Sequence, residues 1–335
     1  MTGRVLPSST GPTRRAMLLG GVGVLGLGLS GCGLGTSGGF VPSGTLAGAI
    51  ADVDLSGAKI AVGSKNFTEQ LVLGKMAVIV LRAAGADAPD LTNIPGSSSA
   101  RQAMIEDQVQ MQWEYTGTAW IAYLGETTPI PDEKKQYEAV RDRDKKENRL
   151  IWLTPAPMNN TYGFAGPSET IKKLGITELS QLAKVPKKDL TFCVESEFNN
   201  RNDGFVPMLK TYGLTRGKDF PDGNVKVLDT GAIYSATDQG TCTFGEVFTT
   251  DGRIKALDLT VLEDDKAFFP KYNVAPVVTQ AVMQAHPAVA DLFGPVAAKL
   301  TDDVLIELNA RVDVEGQDPA DVAIAWLRDE GFIQE

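Results

Sequence analysis

Ile60-Ala61-Val62-Gly63-Ser64-Lys65-Asn66-Phe67-Thr68-Glu69-Gln70 is the stretch whose reading decides the fold. An apolar strand runs into a short polar loop, and the loop opens a helix. Asn66 is a helix-capping residue type, and Glu69 stands three residues on, where a capping box carries its acid. Val72, Met76, Ile79 and Ala83 then fall at helical spacing, as do Leu73, Ala77, Val80 and Ala84, up to Gly85. Two apolar rows predict a helix packed closely on a sheet. In a parallel sheet the Lys65 loop lies at the carboxyl end, where open α/β folds bind ligands. A loop lysine is ordinarily solvated, so the weight of this reading rests on the rest of the chain.

The strand–helix alternation continues. Residues 91–94 read as a strand ended by Pro95-Gly96, and Ser97-Ser98-Ser99 starts a helix. Residues 110–113 read as a strand leading to Glu114-Tyr115-Thr116-Gly117-Thr118 and another helix. Residues 131–149 are heavily charged and predict a solvated helix. Strand 151–153 is followed by Pro155 and Pro157, a natural crossing into a second domain. That domain alternates again: helices 168–175 and 177–184, strand 190–194, helix 205–212, strand 225–228, helix 232–239 and strand 242–248. From residue 257 the chain is expected to return, with strands 259–262 and 274–278 and helices 288–300, 304–312 and 321–330. The expected architecture is α/β, with two doubly wound parallel sheets joined by a hinge of two crossings. One lobe comprises residues 58–157 and 258–335, the other 158–257. The cleft between two such lobes is a common place for small ligands.

The chain has 335 residues and a formal net charge of −10. That charge argues against a nucleic-acid partner, which needs a basic surface. The single His286 excludes a histidine-dependent triad and a multi-histidine metal site. Asp264-Asp265 is no metal pair, since adjacent residues of a strand point to opposite faces. No cofactor is implied. Cys193 and Cys242 fall in two strands of the second lobe, where a disulfide and two buried thiols are both open readings.

Residues 1–32 read as an export signal. Arg14-Arg15 precede an apolar run over residues 16–29, which is short for a bilayer span. Small residues before Cys32 look like a lipobox, making Cys32 the lipidated first residue of a mature lipoprotein. The paired arginines resemble a twin-arginine export signal; a general secretory signal with two arginines is the alternative. Residues 33–57, rich in Gly, Ser, Thr, Pro and Ala, read as a flexible tether. The protein is thus expected on the outer face of the membrane, held by lipid.

Several stretches together resemble one family. They are Ser64 to Gln70, Glu114-Tyr115-Thr116-Gly117-Thr118, Asn159-Asn160-Thr161-Tyr162, Glu197-Phe198 with Arg201 and Asp203-Gly204, Thr250-Asp251-Gly252-Arg253-Ile254, Asp264-Asp265-Lys266 with Phe269-Pro270-Lys271-Tyr272, and Glu307-Leu308-Asn309. In this order they are similar to the substrate-binding lipoproteins of glycine betaine, carnitine and choline ABC importers. The resemblance covers most of residues 59–333 and implies a two-lobed periplasmic-binding-protein fold of type II. It implies a non-catalytic protein that hands its ligand to a separate permease and ATPase.

A quaternary ammonium has no N–H, so hydrogen bonds cannot recognise it; cation–π attraction to an aromatic cage can. The resemblance places Tyr115, Tyr162, Phe248 and Tyr272 in that cage, with Asn160 near the ammonium. It places Lys65 and Arg201 on the ligand's carboxylate, with Thr118 as a hydroxyl donor. Two such cations favour glycine betaine, proline betaine or carnitine over choline. Each residue also has a plainer reading: buried aromatics, a solvated Lys65, an Arg201 paired with Asp203 or Glu197, a Thr118 that caps its helix. Phe248 departs from the family pattern, where a tyrosine usually stands; it keeps the π face and loses a hydroxyl. A binding protein for another small cation or an amino acid is the next reading, and a secreted enzyme a distant third.

Overall fold

A computed structural model of the protein describes residues 40–335. The strands, in chain order, are β1 (Thr45–Leu46), β2 (Val62–Lys65), β3 (Asp90–Ile94), β4 (Met111–Tyr115), β5 (Leu150–Trp152), β6 (Tyr162–Pro167), β7 (Phe192–Val194), β8 (Val225–Val227), β9 (Phe244–Phe248), β10 (Leu259–Val261), β11 (Val274–Thr279) and β12 (Ile333–Gln334). They form two five-stranded sheets and one two-stranded ribbon. The first sheet has the order β3-β2-β4-β11-β5 and the second β10-β6-β9-β7-β8.

Helix Thr68–Ala83 follows β2, as its two apolar rows require. It is buried on nearly all sides because it packs on the sheet strands and also against helix Pro319–Asp329. A helix that is apolar all round belongs inside a core. Helix Glu133–Asn148 is charged outside but not wholly solvated: it buries Gln136, Val140 and Asp144. Asp144 receives Arg101 Nη1 at 2.9 Å and Trp152 Nε1 at 2.7 Å, so the buried charge is paired. The helix is capped by the Asp132 side chain and ends at Arg149 in the left-handed region.

Three expectations are corrected. The sheets are mixed, not parallel throughout. β2 runs parallel to β3 and β4, but β11 is antiparallel to β4 and β5. In the second sheet β7 is parallel to β8 and β9, while β6 is antiparallel to β9 and β10. A strand that returns from the other lobe enters from the opposite end, which is what reverses its direction.

The return crossing also lies later than residue 257. β10 pairs with β6 through Leu259↔Pro167 and Val261↔Ala165, so it belongs to the second lobe. The chain goes back to the first lobe between β10 and β11. Finally, the tether expected over 33–57 does not extend that far. Leu46, Ile50 and Leu55 are buried, and β1 pairs with β12 at Thr45↔Gln334 and Leu46↔Ile333. These few apolar residues join the core of the first lobe, against the Gly- and Ser-rich composition around them. The export signal and Cys32 lie outside the described residues.

Cys193 and Cys242 form a disulfide, with Cα atoms 5.7 Å apart. Cys193 in β7 and Cys242 just before β9 are brought together by the parallel β7–β9 pairing.

Candidate functional site

Tyr115 ends β4, and its register partner in the antiparallel ladder is Val274 at the start of β11. Tyr272, two residues earlier, is thereby delivered beside it. Its ring stands over Gly117, where a Cβ would approach the ring to 2.6 Å. Any side chain at position 117 would push Tyr272 away. In the second sheet Tyr162 and Phe248 are direct register partners of β6 and β9, and their rings lie 5.4 Å apart. Phe67 comes from the loop after β2. Its ring is 5.3 Å from Phe248 and 6.1 Å from Tyr115. Tyr162 meets Tyr272 edge to face at 5.4 Å. The five rings therefore make one unbroken series, Tyr115, Phe67, Phe248, Tyr162, Tyr272, drawn from both lobes and the return crossing.

These rings surround a cavity of about 40 Å³. Seven of the eight expected contacts line it: Lys65, Tyr115, Thr118, Asn160, Tyr162, Phe248 and Tyr272. Ser97 and Phe67 complete it. Phe67 lay inside the quoted Ser64 to Gln70 stretch, and its signal was position alone: the residue after a polar loop at a sheet's carboxyl end. A larger vestibule of about 400 Å³ adjoins the cavity and shares Lys65, Phe67, Ser97, Tyr162 and Phe248 with it.

Arg201 lines neither space. Its Nε and Nη2 bond Asp203 at 2.7 and 2.6 Å, and its Nη1 reaches Glu197 at 3.2 Å. The pairing with Asp203 and Glu197 holds this guanidinium outside the lining of both spaces. Lys65 does reach the cavity, 4.8 Å from the Tyr115 ring centroid. Its Nζ is paired with buried Glu114 at 2.5 Å, so its charge is already balanced. Thr118 stands at the N-cap of residues Ala119–Tyr123 but makes no capping bond with its side chain.

Asn66 and Glu69 do not act as helix caps. The helix starts at Thr68 with no side-chain cap, and Asn66 Oδ1 instead accepts from Gly96 N at 3.4 Å. Glu69 is buried and takes four donors. Oε1 accepts from Tyr115 Oη at 2.7 Å and Asn160 Nδ2 at 3.0 Å; Oε2 accepts from Thr250 Oγ1 at 2.6 Å and Asn309 Nδ2 at 3.1 Å. Burial pushes this carboxyl up, and the four donors pull it back. Burial is also the main reason that the Tyr115, Tyr162 and Tyr272 phenols sit well above their usual value, so they remain neutral hydroxyls. Two of those hydroxyls are tied off behind the cage, Tyr115 on Glu69 and Tyr272 on Asp203 at 2.6 Å. The rings are held by their far ends, and their faces are left for the cavity.

The sum of charge around the cage favours a cation. Lys65 is offset by Glu114, and Arg201 faces both Asp203 and Glu197. Glu69 adds a carboxylate bonded directly to two cage residues. Such a site offers π faces and negative field to a positive group that brings no hydrogen-bond donor of its own.

Two mixed-sheet α/β lobes, crossed twice by the chain and meeting at an aromatic pocket, define the class of two-lobed solute-binding proteins. The chain belongs to the family of substrate-binding domains of ABC-type glycine betaine transport systems, whose model matches residues 58–329. Members of this family bind transport substrates and are not enzymes. The glycine-betaine-binding protein of Pseudomonas aeruginosa is 38% identical over 282 residues, covering 82% of this chain and 88% of that one. The glycine betaine-binding protein YehZ of Escherichia coli is 32% identical over 284 residues, covering 82% and 92%. A crystal structure of a glycine betaine/carnitine/choline ABC transporter superposes with a TM-score of 0.67 at 29% identity, covering 81% of this chain and 98% of that one.

Glu69→Gln tests the buried carboxylate. Glutamine keeps one acceptor oxygen and turns an NH2 toward two donors, so a loss of roughly 2–4 kcal/mol is expected. Urea unfolding with an unchanged slope measures it. Glu246 supplies a pH test. Burial raises its carboxyl well above the ordinary value. The folded state therefore binds its proton more readily than the unfolded chain. Its contribution to stability is present below the unfolded value and is lost as pH rises through the folded one. Glu246→Gln should be more stable than the parent at the higher pH, and the advantage should vanish as pH falls to the ordinary glutamate value.

Proposed function

We propose that this protein captures a quaternary-ammonium compatible solute in the five-ring cage and delivers it to an ABC importer made of separate permease and ATPase chains. The observation that carries this reading is the unbroken ring series around one cavity, with buried Glu69 behind Tyr115 and Asn160 of the cavity wall. Cation–π attraction contributes roughly 0.5–1 kcal/mol per exposed ring and about 2 when desolvated, so several rings together hold a donor-free cation. Lys65, Thr118 and Ser97 line the same cavity and are proposed to meet the ligand's other end, with Asn160 beside the ammonium. Glycine betaine and its relatives proline betaine and carnitine are the first candidates.

A second reading has its own support. Both cations expected for a ligand carboxylate are paired with protein carboxylates, and Arg201 is off the cavity. This favours a ligand with net positive charge, such as choline. Calorimetry with glycine betaine, carnitine and choline decides between them; binding of none of the three removes the proposal. Phe67→Leu keeps apolar bulk and removes a π face, so affinity should drop about 5- to 30-fold with the fold intact, as expected for one cation–π contact. Phe248→Tyr keeps the π face and should bind at least as well. Unchanged affinity in Phe67→Leu would remove that ring from the cage.

Residues 1–32 are proposed to export the chain, by the twin-arginine route, and Cys32 to carry the lipid that holds it at the membrane's outer face. Among the described residues no helix is long and apolar enough to cross a membrane. Cys32→Ala should move the exported protein from the membrane to the soluble fraction; retention at the membrane would exclude lipid anchoring at this residue.

A further inference from the structure

The cage is small for a ligand site. Its cavity of about 40 Å³ is a fraction of the roughly 300–1,000 Å³ that small-molecule sites usually span, and the adjoining vestibule of about 400 Å³ brings the whole into that range. Tyr162 and Phe248 line both spaces, so a ligand seated on the rings can continue into the larger one. Asn160, in the cage wall, donates through Nδ2 to Glu69, and its buried Oδ1 has no hydrogen-bond partner among the described residues. That leaves one acceptor in the cage wall for a positive head group.

The second sheet sets what the vestibule offers. Its strand order puts β6, β9, β7 and β8 side by side. Tyr162 opens β6 and Phe248 closes β9 as register partners. β7 and β8 run parallel to β9 and end at Val194↔Val227, so Glu195 and Asp229 leave the sheet at the same edge. Along that edge the order is ring, ring, carboxylate, carboxylate, and both acids line the vestibule. Half-buried Glu195 accepts through Oε2 from Glu197 N and Phe198 N, and has no ion-pair partner among the described residues. Exposed Asp229 precedes helix Thr230–Asp238 and makes neither a capping bond nor an ion pair among them. The cations on the same wall are already matched: Lys65 with Glu114, and Arg253 with Asp251 at 2.5 Å and Asp313 at 3.3 Å. The vestibule is left with two carboxylates that no protein cation balances.

We propose that the vestibule is a second subsite, in which Glu195 and Asp229 take a cationic, hydrogen-bond-donating tail of a ligand whose quaternary ammonium sits in the cage. The proposal rests on the quaternary-ammonium reading and extends its substrate class beyond the compact betaines to elongated compounds with a second positive group. Neighbouring strands lie ~4.8 Å apart, so that group sits roughly 5–10 Å from the rings, the reach of a chain of about five carbons. A charged tail gains there because the two acids lack partners, while an anionic tail meets like charge.

Calorimetry on the full chain with three probes of comparable length tests this: pentyltrimethylammonium with a neutral tail, aminopentyl-trimethylammonium with a cationic one, and carboxypentyl-trimethylammonium with an anionic one. The cationic tail should bind about tenfold tighter than the neutral tail, the scale of two partly exposed ion pairs, and the anionic tail should bind weakest. Asp229→Asn should cut the ratio of cationic to neutral affinity about threefold, and Asp229→Lys should bring it to about one or below. Asp229 is exposed, so both variants should fold. Equal affinity for the neutral and cationic tails, or an anionic tail that binds tightest, would overturn the subsite and leave the cage reading standing. So would an unchanged ratio in Asp229→Lys. Binding of none of the three probes would overturn the quaternary-ammonium reading and the subsite with it.

Discussion

One buried carboxylate with four donors sets the terms for the rest of the molecule. Among the described residues Glu69 has no ion-pair partner, and an isolated ionised carboxylate in a dry interior would cost several kcal/mol. Four hydrogen bonds, each worth on the order of 1.5–3 kcal/mol to a charged acceptor, work against that cost, while burial still holds the carboxyl above its usual value. The donors come from the end of β4, the outward crossing, the turn after β9 and helix Asp302–Asp313. Asn309 also bonds the Thr250 carbonyl at 2.9 Å, doubling the tie. Next to it Thr68 donates to Asp313 at 2.6 Å, and Gly252 packs against Ala310 where any Cβ would collide. The first turn of one helix thus fixes where the two lobes and the C-terminal helices meet.

The cage inherits its order from this arrangement. Tyr115 and Asn160 are both bonded to Glu69, so two members of the cavity wall are positioned by one group. The Tyr115 hydroxyl and one Asn160 N–H are engaged behind the wall, so the tyrosine offers the cavity its π face and not its donor. Lys65 and Arg201, the two cations nearest the rings, lie 4.8 and 5.5 Å from the Tyr115 and Tyr162 centroids. Both are neutralised by carboxylates at shorter range. Pairing them removes most of the repulsion that a bound cation would otherwise meet.

Much of this was legible in the sequence, and the rest was not for identifiable reasons. The apolar rows of residues 72–84 predicted their helix because a 3.6-residue period is a local property. The Tyr162–Phe248 and Tyr115–Tyr272 groupings were carried by family resemblance, since periodicity cannot pair strands. Strand direction was lost for the same reason, so β11 appeared parallel, β6 was not assigned as a strand at all, and β10 was assigned to the wrong lobe. Glu69 was misread because S/T/N-x-x-E is a local pattern, whereas its partners lie 46, 91, 181 and 240 residues away. Arg201 shows the converse. Its partners Glu197 and Asp203 stand within four residues, so the pairing itself was legible from sequence spacing.

The chain path ties the ring series to the two crossings between the lobes. β1 and β12 pair, so the two ends of the described chain both belong to the first lobe. The second lobe is an insertion held by two crossings, one between β5 and β6 and one between β10 and β11. Asn160 lies on the first crossing and Tyr272 on the second. Asn159 Oδ1, next to Asn160, accepts from Tyr272 N at 2.7 Å, which joins the crossings to each other. Any change in the angle between the lobes must turn these two segments, and with them an amide and a ring of the cavity wall. The cavity wall and the lobe angle are therefore coupled in this fold: the proposed cation site needs the crossings to bring Tyr272 to Asp203 and Asn160 to Glu69.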